Sequence, residues 1–133
     1  MKKEKAFWFI AVLIVLLDQI TKLLFTNVHY GIINYVTNTG AAFSLFKNGV
    51  IYLSIISIFV IFLVIYFFRK YPKLYMPLGF ILGGAFGNLI DRLFLGYVRD
   101  FIDLKIWPVF NVADSFNVIG AIIIAYLVFR RKV

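Results

Sequence analysis

The sequence predicts an all-α integral membrane protein with four transmembrane helices. Of its 133 residues, 63% are hydrophobic and 20% are aromatic, and the mean hydropathy is +0.96. A soluble domain of this length has too small an interior to bury that much apolar surface, so the bilayer must be part of the solvent. The apolar residues also fall into four runs of roughly 17 to 25 residues, the length that crosses a hydrocarbon core as a helix.

Each run is interrupted by few charges. The first has none before Asp18, the second has none at all, the third has none before Asp91, and the fourth has none after Asp114. The four predicted helices span about residues 6–25, 49–68, 74–95 and 112–129. With the connecting segments 26–48 and 96–111, they form a single predicted domain, 1–133.

Basic residues flank these runs in three groups. Lysine and arginine next to membrane helices favour the cytoplasmic side. If the amino terminus is cytoplasmic, four crossings bring all three groups to that side, which predicts cytoplasmic termini and extracytoplasmic connecting segments. This location also argues against nucleic acid as the partner of the net charge of +8. The groups are Lys2, Lys3 and Lys5; Arg69, Lys70 and Lys73; and Arg130, Arg131 and Lys132.

The sequence lacks cysteine and has almost no histidine. There is no cysteine, and His29 is the only histidine. A thiol nucleophile and a disulfide framework are therefore excluded, and a zinc cluster is not expected. We expect an activity without a metal or an organic cofactor.

Five of the six acidic residues are predicted to lie at one level of the membrane. At about 1.5 Å of rise per residue, Asp18, Asp91 and Asp114 lie roughly 20 to 27 Å from the basic ends of their helices. That places them in the outer third of a hydrocarbon core about 30 Å thick. Asp100 and Asp103 follow in the outer segment. Charges at such a depth cost a few kcal/mol each unless they are paired or hydrated.

Helical spacing indicates which of these acids have basic partners. Asp18 and Lys22 are four residues apart and can pair, and we expect Asp18 also to hydrogen-bond the outer loop. Asp91 and Arg92 are interpreted as a scaffold salt-bridge network.

Asp100 and Asp114 have no basic partner at helical spacing, although Arg99 adjoins Asp100. A carboxylate without a fixed counter-charge can hold a proton. Two such groups close together share one proton, so that one activates water while the other acts as an acid. We therefore predict that they are the catalytic pair. The alternative is that they are only packing or helix-end charges.

The remaining features predict architecture. Gly79, Gly83 and Gly87 recur every four residues, a pattern that allows close helix packing in lipid. Residues 30–36 are strand-like, and Asn38-Thr-Gly40 is typical of a turn. The apolar residues Phe43, Leu45 and Phe46 are expected to lie at the membrane interface and close over the polar cluster.

Five segments together resemble the signature blocks of the lipoprotein signal peptidases, also called the signal peptidase II family. The resemblance implies an intramembrane aspartic endopeptidase of the bacterial cytoplasmic membrane that removes the signal peptide from prolipoproteins, cutting before a diacylglyceryl-modified cysteine. It also implies a small extracytoplasmic β-sheet cradle, which residues 26–48 match. The segments are Asp18-Gln-Ile-Thr-Lys22, Asn38-Thr-Gly-Ala-Ala-Phe-Ser44, Gly83-Gly-Ala-Phe-Gly-Asn-Leu-Ile-Asp-Arg92, Val98-Arg-Asp-Phe101 and Phe110-Asn-Val-Ala-Asp114.

The resemblance also assigns roles to residues. It implies catalytic roles for Asp100 and Asp114 and no cofactor. The expected partners are the lipid-modified prolipoprotein and membrane lipids, and the protein is expected to be a monomer. Supporting or substrate-binding roles are implied for Asp18, Lys22, Asn38, Asn88, Asp91, Arg92 and Asn111.

Three other classes stay open on the residues alone. A small proton-coupled transporter or channel also uses intramembrane aspartates, but its carboxylates should be distributed across the bilayer. A serine protease using Ser44 with Lys22 or Lys47 is the second enzyme class. A purely structural membrane protein leaves the clustered polar groups without an explanation.

Overall fold

A computed structural model describes residues 2–40 and 49–130. In this part of the chain, four helices are long and apolar enough to cross a membrane, which confirms the predicted fold class. α1 begins four residues earlier than predicted and α2 continues two residues further, and the turn Pro72–Leu74 connects α2 to α3. The helices are α1 (Lys2–Leu24), α2 (Gly49–Lys70), α3 (Tyr75–Leu95) and α4 (Val112–Phe129).

Helix α3 is the centre of the bundle and contacts each of the other three. Its glycines make this possible, because a Cβ atom on Gly83 would lie 2.8 Å from the backbone oxygen of Ala11 in α1. A Cβ on Gly84 would lie 2.5 Å from the backbone oxygen of Ala113 in α4. The small residues therefore allow α1 and α4 to pack closely on two faces of α3, and the predicted packing role of the glycine stripe is confirmed.

The outward faces of the helices carry large apolar side chains. Leu23 on α1 and Phe62 on α2 are each 68% exposed, and Phe129 at the end of α4 is 87% exposed. Exposed apolar patches on this scale mark contact with a membrane or a partner. The outer surface of the bundle therefore fits lipid as its solvent.

A small antiparallel sheet covers one end of the bundle. It contains β1 (His29–Tyr30), β2 (Ile33–Asn38) and β3 (Val98–Ile102), in the order β1-β2-β3. A bridge between Ile102 and Phe110 then leads the chain back to the start of α4. The expected small β cradle is thus present, although its third strand comes from the second connecting segment.

Two details of this region differ from the prediction. The single strand expected over residues 30–36 is a hairpin that turns at Gly31 and Ile32, where Gly31 has a positive φ of 61°. Such a φ suits glycine, which has no Cβ to clash. The turn after β2 is confirmed, because the side-chain oxygen of Asn38 accepts a 2.8 Å hydrogen bond from the Gly40 backbone N–H. The proposed cover, Phe43, Leu45 and Phe46, lies outside the described residues.

Candidate active site

Asp100 and Asp114 line the same cavity, although they belong to different elements. Asp100 lies in the middle of β3 and Asp114 lies in the first turn of α4. The cavity has a volume of about 420 Å³, and Asn38, Asn88 and Arg92 also line it. The fold therefore brings the two predicted catalytic carboxylates to one space below the sheet.

Asp114 is held by a capping box at the start of α4. The side chain of Asn111, the N-cap residue, accepts a 2.9 Å hydrogen bond from the Asp114 backbone N–H. In return, Asp114 Oδ2 accepts a 3.2 Å bond from the Asn111 backbone N–H. Its other oxygen, Oδ1, accepts a 2.7 Å bond from Asn88 Nδ2. The capping geometry fixes the carboxylate while its partners remain neutral.

Asp100 is held by two amides. Its Oδ1 accepts a 2.7 Å hydrogen bond from Asn111 Nδ2, and its Oδ2 accepts a 3.0 Å bond from Asn38 Nδ2. Asn38 is opposite Val98 in the β2–β3 register, which puts its side chain on the same sheet face as Asp100 two residues on. Asn111 therefore hydrogen-bonds both carboxylates.

The surroundings of Asp100 favour its protonated form. The side chain is buried, and this burial raises the pKa of Asp100 to about 6 from an ordinary value of 3.8. The hydrogen bonds from Asn38 and Asn111 act in the opposite direction, while the negative charge of Asp114 raises the pKa further. A carboxyl with this pKa can exchange a proton near neutral pH.

Among the residues that the structure describes, neither of these two carboxylates forms a salt bridge. The ion pairs there belong to Asp18, Asp91 and Asp103. Arg92 lines the cavity, but its Nη1 donates a 2.9 Å hydrogen bond to Ser57 Oγ on α2. Asp100 and Asp114 are thus the aspartates without an ion-pair partner, as the helical spacing predicts.

Asp18 and Lys22 form the expected ion pair, 2.7 Å apart, with both side chains fully buried. Among the described residues, the further bond of Asp18 goes to the start of α4 and not to the outer segments. Asp18 Oδ1 accepts a 2.9 Å hydrogen bond from the Ala113 backbone N–H. That group is one of the unpaired donors at the start of α4, so the α1 carboxylate caps the helix that carries Asp114.

Lys22 also orients Asn88. Its Nζ donates a 3.0 Å hydrogen bond to Asn88 Oδ1, and Asn111 Nδ2 donates a second 3.0 Å bond to the same oxygen. With its oxygen fixed by two donors, Asn88 directs its amide N–H toward Asp114. The lysine therefore supports the site through a neutral side chain.

The partner of Asp91 differs from the prediction. Asp91 forms a bidentate pair with Arg99, whose Nη2 lies 2.8 Å from Oδ1 and whose Nε lies 3.1 Å from Oδ2. Lys22 Nζ is a further cation at 3.5 Å. The predicted network with Arg92 is wrong because consecutive helical residues do not face each other. Since Arg99 directly precedes Asp100, Asp91 anchors the strand that carries the candidate catalytic residue.

Gln19 is a member of this network that the sequence reasoning missed. Its Nε2 donates to Asp18 Oδ2, to the Gly87 backbone oxygen and to Asp91 Oδ1, at 3.0 to 3.2 Å. Its Oε1 accepts a 2.8 Å bond from Arg99 Nη2. The only sequence signal was a polar residue inside an apolar run, next to Asp18. Gln19 connects the two scaffold aspartates to each other and to β3.

The comparison with known proteins identifies the family. The family model of signal peptidase (SPase) II matches residues 10–130. The chain belongs to the signal peptidase II family. A lipoprotein signal peptidase of Caldanaerobacter subterraneus is 47% identical, over 89% of this chain and 92% of the relative. One of Microcystis aeruginosa is 40% identical, over 98% of this chain and 96% of the relative.

The fold agrees with this assignment. A solved structure of a bacterial membrane enzyme has a TM-score of 0.84 and 30% identity, covering 96% of this chain and 90% of the other. Membership of the signal peptidase II family makes the protein a multi-pass membrane peptidase. The structure connects eight of the nine predicted site residues through hydrogen bonds and ion pairs. The ninth, Arg92, lines the same cavity but hydrogen-bonds Ser57 instead.

Proposed function

We propose that this peptidase is an intramembrane aspartic endopeptidase that removes signal peptides from bacterial prolipoproteins, cutting before the diacylglyceryl-modified cysteine. The relatives support the substrate class, since they are named lipoprotein signal peptidases. One observation carries the catalytic type: Asp100 and Asp114 line one cavity and share the Asn111 side chain and backbone as hydrogen-bond donors.

The mechanism needs one proton on the pair. Two neighbouring carboxylates do not ionise together easily, so one stays protonated while the other is ionised. Burial favours Asp100 as the protonated member, which leaves Asp114 as the ionised member of the pair. Asp114 then takes a proton from the attacking water, and Asp100 protonates the oxygen of the scissile carbonyl. The C–N bond of the resulting gem-diol intermediate then breaks. The proton on Asp114 passes to the leaving amine, and one hydroxyl proton of the intermediate returns to Asp100, which leaves a carboxyl product and restores the pair.

The neutral amides around the pair fit this chemistry. Asn38, Asn88 and Asn111 fix the carboxylate oxygens at 2.7 to 3.2 Å without supplying a counter-charge. A cation at the same positions would favour ionisation of both acids. In the proposed mechanism, Asn38 also hydrogen-bonds the substrate backbone, because it is the last residue of β2 and lines the cavity.

An apolar groove of about 320 Å³ begins at Asp114 and is lined by Trp107, Phe110 and Val118 among others. A lipid-modified cysteine needs apolar surface within reach of the scissile bond. The groove supplies such surface directly beside a candidate catalytic group, which supports a lipid-modified substrate.

We propose that the site faces the extracytoplasmic side, with both termini in the cytoplasm, in the bacterial cytoplasmic membrane, and that the protein acts as a monomer within a single domain. Basic residues at the opposite end of the helices support this orientation. No metal or organic cofactor takes part in the proposed reaction.

The decisive experiment uses two matched precursor peptides, one with and one without the diacylglyceryl group. We expect the purified wild-type protein to cut only the lipid-modified peptide. Asp100→Asn and Asp114→Asn should lose cleavage, because an amide keeps the shape but cannot transfer the proton. Asp103→Asn is the control, since Asp103 pairs with Lys105 outside the cavity, and it should retain cleavage.

Two results would contradict the proposal. Cleavage of the unmodified peptide at a similar rate would remove the lipid requirement. Substantial turnover by Asp100→Asn or Asp114→Asn would remove that residue from the mechanism.

The competing serine mechanism has little support from the site. Ser44 and Lys47 lie outside the described residues. Lys22 is fully buried, 2.7 Å from Asp18 and hydrogen-bonded to Asn88, so its amino group is already occupied by these partners. Loss of cleavage in Ser44→Ala with an intact fold would favour the serine mechanism.

A further inference from the structure

A second polar cavity lies at the other end of the bundle, between the start of α1 and the end of α2. Its volume is about 440 Å³. Lys3 lies fifteen residues before Asp18 in α1, which separates the cavity from the carboxylate cluster by roughly 22 Å along the helix. The residues that line it are Lys2, Lys3, Glu4, Phe68, Arg69 and Pro72.

Positive charge dominates this cavity. Lys2, Lys3 and Arg69 contribute three cations against the single anion of Glu4. Over residues 2–40 and 49–130, none of these four forms an ion pair, whereas Lys22, Arg99 and Lys105 are all paired with aspartates. Three unneutralised cations from two different helices thus face one space, an arrangement that attracts an anion.

The cavity is built on a packed aromatic pair. The rings of Phe7 and Phe68 stack with centroids 4.0 Å apart and planes 4° apart, and both residues are buried. The stack joins α1 to α2 at the level of the cavity. The charged side chains are therefore carried by two helices that meet at this ring stack and that both pack on α3.

The location of the cavity points to the class of ligand. It lies at the beginning of the first membrane span and at the end of the second, which is the level of lipid headgroups. Phe9 and Phe67, within two helical turns of it, are exposed apolar residues that acyl chains can contact. A free phosphate ion would contact only the cations, whereas a phospholipid would contact the cations with its phosphate and the apolar residues with its acyl chains.

We propose that this cavity is a binding site for the headgroup of an anionic phospholipid. Lys2, Lys3 and Arg69 contact the phosphate, and the net charge of the site discriminates against zwitterionic lipids. The three cations and one anion give the site a net charge of +2. We therefore expect a preference of at least roughly tenfold for phosphatidylglycerol over phosphatidylcholine, which corresponds to about 1.4 kcal/mol.

Trp8 provides a local probe for this site. Its ring lies 5.1 Å from that of Phe7, and Trp107→Phe leaves it as the only tryptophan, because the chain has two. The protein is placed in phosphatidylcholine nanodiscs with increasing fractions of brominated phosphatidylglycerol or brominated phosphatidylcholine, and quenching of Trp8 is measured. Half-maximal quenching should need roughly ten times less of the anionic lipid.

Two triple variants separate the cavity from the general basic surface. Lys2→Gln, Lys3→Gln and Arg69→Gln together should abolish the preference. Lys5→Gln, Lys70→Gln and Lys73→Gln remove the same charge from exposed residues at this end that do not line the cavity, and this variant should keep most of it.

Three outcomes would overturn the proposal. Equal quenching of the wild-type probe by both lipids would show that there is no anionic site. Equal loss of the preference in both triple variants would show only non-specific attraction to a basic end. Displacement of brominated phosphatidylglycerol by millimolar inorganic phosphate at constant ionic strength would identify free phosphate as the ligand. None of these readouts depends on peptidase activity, so the result is independent of the proposed catalytic mechanism.

Discussion

Asp91→Asn tests the scaffold role of Asp91. The side chain is fully buried and accepts hydrogen bonds from the Arg99 backbone N–H at 2.9 Å, from two guanidinium nitrogens of Arg99 and from Gln19 Nε2 at 3.1 Å. Asparagine keeps the shape but removes the charge, and its own N–H₂ group would face these donors. Removing one partner of a buried ion pair costs about 3 to 5 kcal/mol.

The lower end of that range applies here. Lys22 keeps Asp18 as a partner at 2.7 Å, so the charge left without a partner is mainly that of Arg99, and 10% of the Arg99 side chain is exposed to solvent. We therefore expect a loss of about 3 kcal/mol. For a domain of this length, this corresponds to a decrease of roughly 10 °C in Tm. Cleavage should decrease as well, because Arg99 directly precedes Asp100 on β3.

The assay combines thermal unfolding in detergent with cleavage of the lipid-modified peptide. Asp103→Asn is the matched control, because Asp103 lies outside the cavity and pairs with a lysine whose side chain is 68% exposed. Asp103 also accepts bonds from Asn34 Nδ2 and the Lys105 backbone N–H, so some loss of Tm is expected. That loss should be smaller than in Asp91→Asn, because a lysine left at an exposed position keeps its hydration, and cleavage should stay close to that of the wild type. A Tm unchanged in Asp91→Asn, together with no cleavage, would refute the scaffold role and assign Asp91 a direct part in the chemistry.

A double-mutant cycle measures the pair itself. Arg99→Gln alone should also lower Tm, because it leaves Asp91 buried with fewer donors. The double variant, Asp91→Asn with Arg99→Gln, should recover part of the loss, since neither buried charge then lacks its partner. Additive losses would show that the 2.8 Å contact contributes no coupling energy.

Three further predictions concern the pH dependence, the packing and the topology. The pKa of Asp100 rises from 3.8 to about 6 on folding, so the folded state binds the proton of this carboxyl more tightly than the unfolded state does. This contribution to stability is complete below pH 3.8 and is lost as the pH rises to about 6. The free energy of unfolding of Asp100→Asn minus that of the wild type should therefore increase by about 3 kcal/mol between about pH 4 and 6 and stay constant at higher pH. A difference that does not change with pH would contradict the assigned pKa. Gly87→Ala places a Cβ 2.6 Å from Asp18 Oδ2, whereas Gly79→Ala places a Cβ 3.1 Å from its nearest neighbours. Gly87→Ala should therefore lower both Tm and cleavage more than Gly79→Ala does. Equal effects of the two substitutions would show that the contact with Asp18 is unimportant. In the cysteine-free chain, an impermeant thiol reagent on intact spheroplasts should label Ile106→Cys and not Lys73→Cys; the reverse pattern would invert the topology.

The helices and the grouping of the aspartates at one end of the bundle were predictable from the sequence because both depend on one-dimensional quantities. A span is a run of apolar residues of sufficient length, and the depth of a residue follows from the helical rise. Pairing at four residues along one helix is similarly local, and the buried Asp18–Lys22 contact confirms it. The lack of an ion-pair partner for Asp100 and Asp114 followed from the same local rule.

The errors concern contacts between distant parts of the chain. Asp91 pairs with Arg99 and not with the adjacent Arg92, because the turn after α3 folds β3 back onto the helix. Residue spacing along one helix does not predict such a turn. β3 itself was missed because all but the last of its residues are buried, so it has no alternating polar pattern. The contact between Asp18 and the start of α4 was missed for the same reason, since Ala113 is 95 residues away.

The four aspartates nearest the cavity divide into two groups with opposite electrostatic surroundings. Asp18 and Asp91 accept direct contacts from cations and hold helices and a strand in place. Among the residues that the structure describes, Asp100 and Asp114 accept hydrogen bonds only from neutral donors. Lys22 is connected to Asp114 through Asn88, by successive bonds of 3.0 and 2.7 Å. Such a chain of hydrogen bonds polarises the amide and strengthens its bond to the carboxylate, but it brings no full positive charge to the acid. The cations that stabilise the fold are therefore bound by Asp18 and Asp91, and Asp100 and Asp114 can exchange a proton in the proposed reaction.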